Sequence, residues 1–169
     1  MPVTTTPETG PSGIVMIHGP DKATLLALNN LHAAELSLLD APGFERLVES
    51  AFLALQTADA TAFLLAFDET ADYDSPNFLW FKTRYARFVY VDRIVVAARA
   101  RGRGHARALY DSVFAAAESA DAGRVVCEIN LDPPNPQSIR FHEALGFTRT
   151  GSAVLPGGAK TVGYYERPC

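Results

Sequence analysis

Cysteine is scarce in this 169-residue chain: there are two, Cys127 inside an apolar run and Cys169 at the last position. So few thiols exclude a disulfide scaffold and a Cys-rich zinc site, and they suit a reducing compartment. Long hydrophobic runs are also missing. The longest, residues 51–67, is interrupted by Gln56 and Asp59, so no stretch reads as a membrane span. Residues 1–13 are rich in Thr, Pro and Gly and lack the basic start and apolar centre of a signal peptide. They read as a flexible leader to one domain over residues 14–169, in a cytoplasmic protein with no membrane partner. The four histidines, His18, His32, His105 and His142, show no ligand spacing with Cys or carboxylates, so no metal is expected.

What is present is ordinary for a globular protein: 48% hydrophobic and 20% charged residues, at a length that buries one core. The net charge of −4 argues against a nucleic-acid partner. The charge is uneven, however. Residues 1–75 carry eleven acidic and two basic side chains, a balance of −9, whereas residues 76–169 carry eight acidic and thirteen basic, a balance of +5. An acidic half beside a basic half suggests a site that handles two unlike ligands.

The pattern of elements reads β-α-α-β-β-α-β-α-β-β, an α/β or α+β domain with a mixed sheet. Residues 14–17 suit a strand. Asp21 suits the cap of a helix running toward Leu39, which Pro42-Gly43 then breaks. Phe44, Leu47, Val48, Ala51, Phe52 and Leu55 fall on one helical face and predict a helix over that span. Residues 61–67 read as a buried strand, 68–77 as a polar loop, and 87–96 as a central strand rich in β-branched and aromatic residues. A helical stripe follows at Leu109, Tyr110, Val113, Phe114 and Ala117, then a strand over 125–131. Asn135-Pro136 opens a short helix that Gly146 closes, and two strands over 147–155 and 161–165 end the chain.

Between the central strand and the striped helix lies Arg101-Gly102-Arg103-Gly104-His105-Ala106. Strand, glycine turn and helix start together make an anion site, because glycines let the backbone approach a ligand and the unpaired N–H groups of the first helical turn point outward. Residues 93–107 add five arginines and no acidic residue. The segment lacks the Gly-Lys-Ser/Thr of Walker A, and Arg107 stands where a dinucleotide fingerprint needs its third glycine.

A second cluster comprises Asn135, Ser138, Phe141, His142, Leu145, Gly146 and Phe147. The two segments together resemble the GCN5-related N-acetyltransferase (GNAT) superfamily. The first signature of that family, Arg/Gln-x-x-Gly-x-Gly/Ala, is matched by Arg101, Gly104 and Ala106, with Val96 as the preceding strand residue. The second, Asn-x-x-Ser/Ala-x-x-Phe/Leu-Tyr followed by Gly-Phe, is matched by Asn135, Ser138, Phe141, Gly146 and Phe147. The resemblance covers residues 87–165 well and the first 85 in element order only. It is nearest to a group of predicted acetyltransferases carrying Tyr73-Asp74-Ser75-Pro76-Asn77-Phe78 and Leu131-Asp132-Pro133-Pro134-Asn135-Pro136.

The resemblance implies a mostly antiparallel mixed sheet flanked by helices and acetyl transfer from acetyl-CoA, as co-substrate, directly to an amine of a small molecule or peptide. A catalytically silent acyl-CoA-binding domain of the same fold is the alternative. By the resemblance, Arg101, Gly102, Arg103, Gly104, His105 and Ala106 hold the pyrophosphate, Ile94, Val95 and Val96 pair with the pantetheine arm, and Asn135 and Ser138 lie along it. An alkyl ammonium, with a pKa near ~10, must lose a proton before it attacks. Glu128 is the first choice of base and Asp92 the second. Glu128 and Cys127 are adjacent on a strand and face opposite ways, so a cleft-facing Glu128 puts Cys127 in the core. His142 stands where the family usually has the tyrosine that protonates the leaving thiolate, and is the candidate acid, with Tyr164 or Tyr165 as substitutes. Asn29, Asn30, His32 and Glu35 on the first helix, with Tyr73 and Asn77, are the candidate acceptor residues. The −9 half predicts a cationic acceptor, and a homodimer is left open.

Overall fold

A computed structural model describes residues 13–169; the leader expected over residues 1–13 lies, Gly13 apart, outside the described residues. Seven strands and five helices alternate in one domain: β1 (Ile14–Met16), α1 (Lys22–Leu31), α2 (Ala41–Ser50), β2 (Leu53–Thr57), β3 (Ala62–Asp68), α3 (Pro76–Lys82), β4 (Val89–Val96), α4 (His105–Ser119), β5 (Arg124–Asp132), α5 (Pro136–Ala144), β6 (Thr148–Val154) and β7 (Thr161–Pro168). The sheet order is β1-β2-β3-β4-β5-β7-β6. Every neighbouring pair is antiparallel except β4 and β5, which run parallel.

Alternation along the strands divides the core by face. Ala62, Leu64 and Ala66 of β3, Val89 and Val91 of β4, and Val125, Cys127 and Ile129 of β5 pack against the α4 stripe of Leu109, Tyr110, Val113 and Ala117. On the opposite face Phe63 and Leu65 meet Leu25 and Leu28 of α1 and Phe44 of α2. Farther along that face Phe67, Tyr90, Val126 and Tyr164 meet Phe78 and Phe81 of α3.

Two features of β4 make the site. Its pairing with β5 is confined to Val89–Val125 and Tyr90–Val126, beyond which the two parallel strands part. The separated edges carry backbone N–H and C=O groups with no strand between them, and such groups demand partners. A bulge against β3 leaves Asp92 as the extra residue, since Val91 pairs with Ala66 and Arg93 with Leu65. A bulge resets the alternation and re-aims side chains. Here it brings consecutive Asp92 and Arg93 within 2.7 Å of each other, both side chains only 5% exposed.

The first third departs from the sequence reading. The helix expected to run toward Leu39 ends at Leu31; Asp21 stands at its N-cap position as expected, but its side chain makes no capping bond. Asp21 instead accepts a 2.7 Å bond from Gln56 Nε2 and pairs with His18. Pro42 starts a helix rather than breaking one. It occupies the first turn of α2, whose cap is Asp40, accepting from Gly43 N at 2.7 Å. The single helix predicted over Phe44–Leu55 is two elements, because Ala51 turns extended and β2 begins at Leu53. β2 is buried on both faces, so its apolar residues continue the helical stripe without any alternation to betray a strand. The polar loop expected to Asn77 gives way to α3 at Pro76, again with proline in the first turn.

Candidate active site

The parting of β4 and β5 opens a cavity of about 550 Å³. One end is the turn into α4. Gly102 and Gly104 adopt φ of +76° and +80°, the left-handed region that L side chains avoid. A Cβ at either position would meet nothing within 4 Å, so backbone conformation, not space, calls for glycine. Gly104 is the cap of the 15-residue α4 and offers no side-chain acceptor to the helix start. The earliest α4 bond here is Ala108 N to Gly104 O, which leaves the N–H groups of His105, Ala106 and Arg107 at the cavity wall without a capping side chain. With the positive end of the helix dipole, they form a seat for an anion. Arg101 and Arg107 line the same end; Arg103 is exposed and does not.

The middle of the cavity is walled by Ile94, Val95 and Val96 from β4 and by Ile129 and Asn130 from β5. From α5 come Asn135 and Ser138. Asn135 caps that helix, its Oδ1 accepting from Ser138 N at 3.2 Å, so the capping read from the sequence is made and the side chain still borders the cavity.

At the far end stands Glu128, on the face of β5 that Val126 also uses. Tyr90 Oη donates to Glu128 Oε2 at 2.7 Å, while Oε1 takes no side-chain hydrogen bond among the described residues. Burial pushes the carboxyl up to about 8; the nearby Asp92 charge adds to the rise, and the Tyr90 hydrogen bond opposes it. Asp92 is engaged at both oxygens, by Tyr73 Oη at 2.7 Å and by Arg93 Nε at 2.7 Å. Cys127, one residue before Glu128, packs beneath α4 and is only 3% exposed, but it borders the larger cavity as well, and burial pushes its thiol far up.

His142 is 5% exposed and is bound at both ring nitrogens. Nδ1 lies 2.7 Å from the Ser138 carbonyl, which can only accept, so Nδ1 carries the proton. Nε2 then accepts from Tyr110 Oη at 2.7 Å. Burial lowers the imidazole pKa, so the ring is neutral and has no proton directed at the cavity. That arrangement does not fit the acid expected at this position. Of the expected substitutes, Tyr165 is in the core, and Tyr164 Oη donates to Asn77 Oδ1 at 2.9 Å.

A second cavity, about 170 Å³, adjoins Glu128 on the side away from α4. Tyr73, Asn77, Glu35, Ser37, Asp92 and Lys160 border it. His32 and Glu35 both border the larger cavity and lie 3.5 Å apart. Asn29 and Asn30 reach neither. Asn29 is fully buried, donates to Ser37 O at 3.0 Å and accepts from Arg93 Nη1 at 2.8 Å. Asn30 exchanges bonds of 2.9 and 3.0 Å with the backbone of Leu39. The acceptor contact expected of this pair is therefore replaced by a structural task, pinning the α1–α2 loop beside the second cavity. Sequence reasoning missed Tyr90 and Tyr110. No local signal marks either as polar partners, because each meets its acceptor across more than thirty residues.

Among the described residues no group of three or more His, Cys, Asp or Glu side chains is placed to hold a metal, and no helix is long and apolar enough to cross a membrane. The model of the acetyltransferase (GNAT) family matches residues 43–147. No curated protein matches the chain significantly. Solved structures do. A ribosomal-protein-alanine N-acetyltransferase from Brucella melitensis is 18% identical, with a TM-score of 0.71 over 92% of this chain and 99% of that one. The putative acetyltransferase yncA from Salmonella typhimurium, solved with its cofactor acetyl-CoA, is 20% identical, with a TM-score of 0.67 over 92% of each chain. Arabidopsis thaliana NAA60 in complex with acetyl-CoA is 14% identical, with a TM-score of 0.70 over 92% of this chain and 97% of that one. At such identities the likeness speaks for the fold.

Proposed function

The chain belongs to the GNAT family of acetyltransferases, and from that premise we propose that it acetylates a cationic amine in the cleft between β4 and β5, with Glu128 as the base. The observation that carries the reading is the placement of Glu128. The strand pairing stops at Tyr90–Val126, and Glu128 is the first side chain on that face of β5 beyond the parting. The glycine turn and uncapped α4 start lie at one end of the same cavity and Glu128 lies at the other.

The residues at the turn fit the polyanion of acetyl-CoA. The N–H groups of His105, Ala106 and Arg107 suit its pyrophosphate, with Gly102 and Gly104 supplying the backbone shape and Arg101 and Arg107 the charge. Arg103 serves only from the exposed rim. The free edges of Ile94–Val96 suit the pantetheine amides, and Asn135 and Ser138 border that path.

The acceptor enters through the second cavity, bordered by Tyr73, Asn77 and Glu35, with His32 at the rim of the larger one. The amine arrives as an ammonium. Glu128 Oε1, free of side-chain partners, takes one proton; the neutral nitrogen then attacks the thioester carbonyl, the C–S bond breaks as the C–N bond forms, and the second proton shed by the nitrogen goes to the departing thiolate, giving the amide and the free thiol of CoA. Cys127 borders the larger cavity, but its thiol, held neutral by burial, is a poor nucleophile, which favours this direct route over an acetyl-cysteine. His142 then serves as a neutral anchor for Tyr110 rather than as an acid. The free thiols suit a cytoplasmic setting.

The test is thiol release from acetyl-CoA across a panel of amines. Release with cationic di- or polyamines or basic peptides, and little with neutral or acidic amines, is expected. Equal rates across the panel would remove the cationic assignment, and no release with any amine would remove the reading.

A further inference from the structure

Glu128 is not alone in its pocket. Its Oε2 is held by a fully buried tyrosine, Tyr90, whose ring is fixed against Phe78 and Phe81. On the next strand the β4 bulge places a second carboxylate, Asp92, on the border of both cavities. Asp92 cannot turn away, because Tyr73 holds Oδ1 and Arg93 holds Oδ2. Arg93 is itself tied to Asn29 of α1 and to Ser37 Oγ, at 2.8 and 3.4 Å. Two carboxylates, each clamped by its own tyrosine, thus share one cavity wall. Only Glu128 keeps an oxygen without a side-chain partner.

We propose that Tyr90 and Asp92 are positioning residues that set, in opposite directions, the pH at which Glu128 becomes a working base. This inference rests on Glu128 being the base. The hydroxyl of Tyr90 favours the charged carboxylate, because it donates a hydrogen bond to it. The fixed negative charge of Asp92 favours the protonated form. These two act against a background of burial, which raises Glu128 most. Arg93, from β4, also lowers Glu128 but by less than Asp92 raises it, although the two are paired; Asp92→Asn removes the one charge and leaves that of Arg93 in place, so both effects act in the same, downward direction. Tyr73, from the segment before α3, spends its proton on Asp92, and Tyr164, from β7, spends its own on Asn77. From the α4 side, Cys127 and Tyr110 have pKa values raised by burial and stay neutral at working pH. Glu35 and Lys160 border the second cavity from its two loops, and Lys160 donates to Ala34 O across its mouth.

The consequence is directional. Tyr90→Phe keeps the ring and its packing and removes one donor from Glu128, so the base titrates higher. Asp92→Asn keeps the shape and removes the repelling charge, so the base titrates lower. One charge-assisted hydrogen bond corresponds to a shift of about one pH unit. The acceptor amine is the same in every assay, so its own titration does not move between variants.

The experiment is the pH profile of kcat/KM for wild type, Tyr90→Phe, Asp92→Asn and Glu128→Gln, with thermal melts to confirm that each is folded. A carbon-13 titration of the Glu128 carboxyl in the free proteins gives a readout independent of turnover. Opposite displacements, up for Tyr90→Phe and down for Asp92→Asn, in the titration and in the profile, are expected. Loss of rate in both variants with an unmoved titration would overturn the inference and reduce both residues to structural roles. A Glu128→Gln enzyme with wild-type rate and profile would instead overturn the assignment of the base, a different failure.

Discussion

At the residue scale the decisive side chain is Glu128. Its carboxyl, pushed up from 4.5 to about 8, is mostly protonated at neutral pH. With Glu128 as the proposed base, its working form grows as pH rises, and kcat/KM is expected to climb through about pH 8. The same raised value weighs on stability. Between pH 4.5 and about 8 the folded protein holds a proton on Glu128 that the unfolded chain has released, so rising pH disfavours the fold over that window. A Glu128→Gln protein lacks this term. Its melting temperature is expected to exceed that of wild type increasingly from pH 5 to 8, as thermal melts would show; melting curves that stay parallel would contradict it. His142 is expected to behave in the opposite sense. A His142→Ala substitution removes a buried ring whose two nitrogens are bonded, and should cost about 2–4 kcal/mol of stability. Denaturant melts measure that loss, while the pH profile of the surviving folded enzyme stays where it was. The residue types at 128 and 142 were legible in the sequence. The neutral state of His142 was not, because it follows from burial, which only the packed fold supplies.

At the scale of elements the turn into α4 and Gly151, where the β6–β7 register shifts between Arg149 and Gly151, are the sensitive points. Gly104→Ala meets no atom but must hold φ near +80°, a strain of about 1–2 kcal/mol. The expected result is a raised KM for acetyl-CoA with a smaller change in melting temperature, read from steady-state kinetics. Gly151 has the reverse problem. Its Cβ would stand 2.6 Å from Trp80, which is stacked on Tyr164 at 4.2 Å. Gly151→Ala is therefore expected to destabilise by about 1–3 kcal/mol through overpacking, measurable by chemical denaturation. The glycine turn and the Asn135 cap could be read from sequence because both depend on neighbours within a few residues. The α2–β2 boundary could not. Phe52 and Leu55 sit where a helix stripe would put them, and only the pairing of β2 with β1 and β3 decides otherwise. The two misread prolines share one cause. Pro42 and Pro76 each lie in the first turn of a helix, Pro42 two residues after the capping Asp40 and Pro76 directly after Ser75, and a proline in that setting marks a start as readily as a stop.

At the scale of the whole molecule, the charge split has a spatial counterpart. The +5 half contributes the α4 turn, with Arg101 and Arg107 on the larger cavity. The −9 half contributes Glu35 and the Tyr73 segment to the border of the second cavity, the proposed acceptor side. Attraction for the cofactor's phosphates is screened by salt, so the KM for acetyl-CoA should rise with ionic strength. What composition could not disclose was how many of these charges are already spent. Asp92 and Arg93 are paired with each other, and Lys22 pairs with Glu45, neither of which lines either cavity. The cleft itself was implied only through family resemblance. It exists because one parallel pair in an otherwise antiparallel sheet parts after two residues, a long-range register that no local pattern encodes. The central claim joins that cleft to one carboxylate. Its most direct test is the initial rate of thiol release from acetyl-CoA with a polyamine acceptor at pH 8, for wild type and for a folded Glu128→Gln protein. The predicted result is a loss of about 10²–10⁴-fold in kcat with KM for acetyl-CoA nearly unchanged; a Glu128→Gln enzyme turning over at the wild-type rate would contradict it.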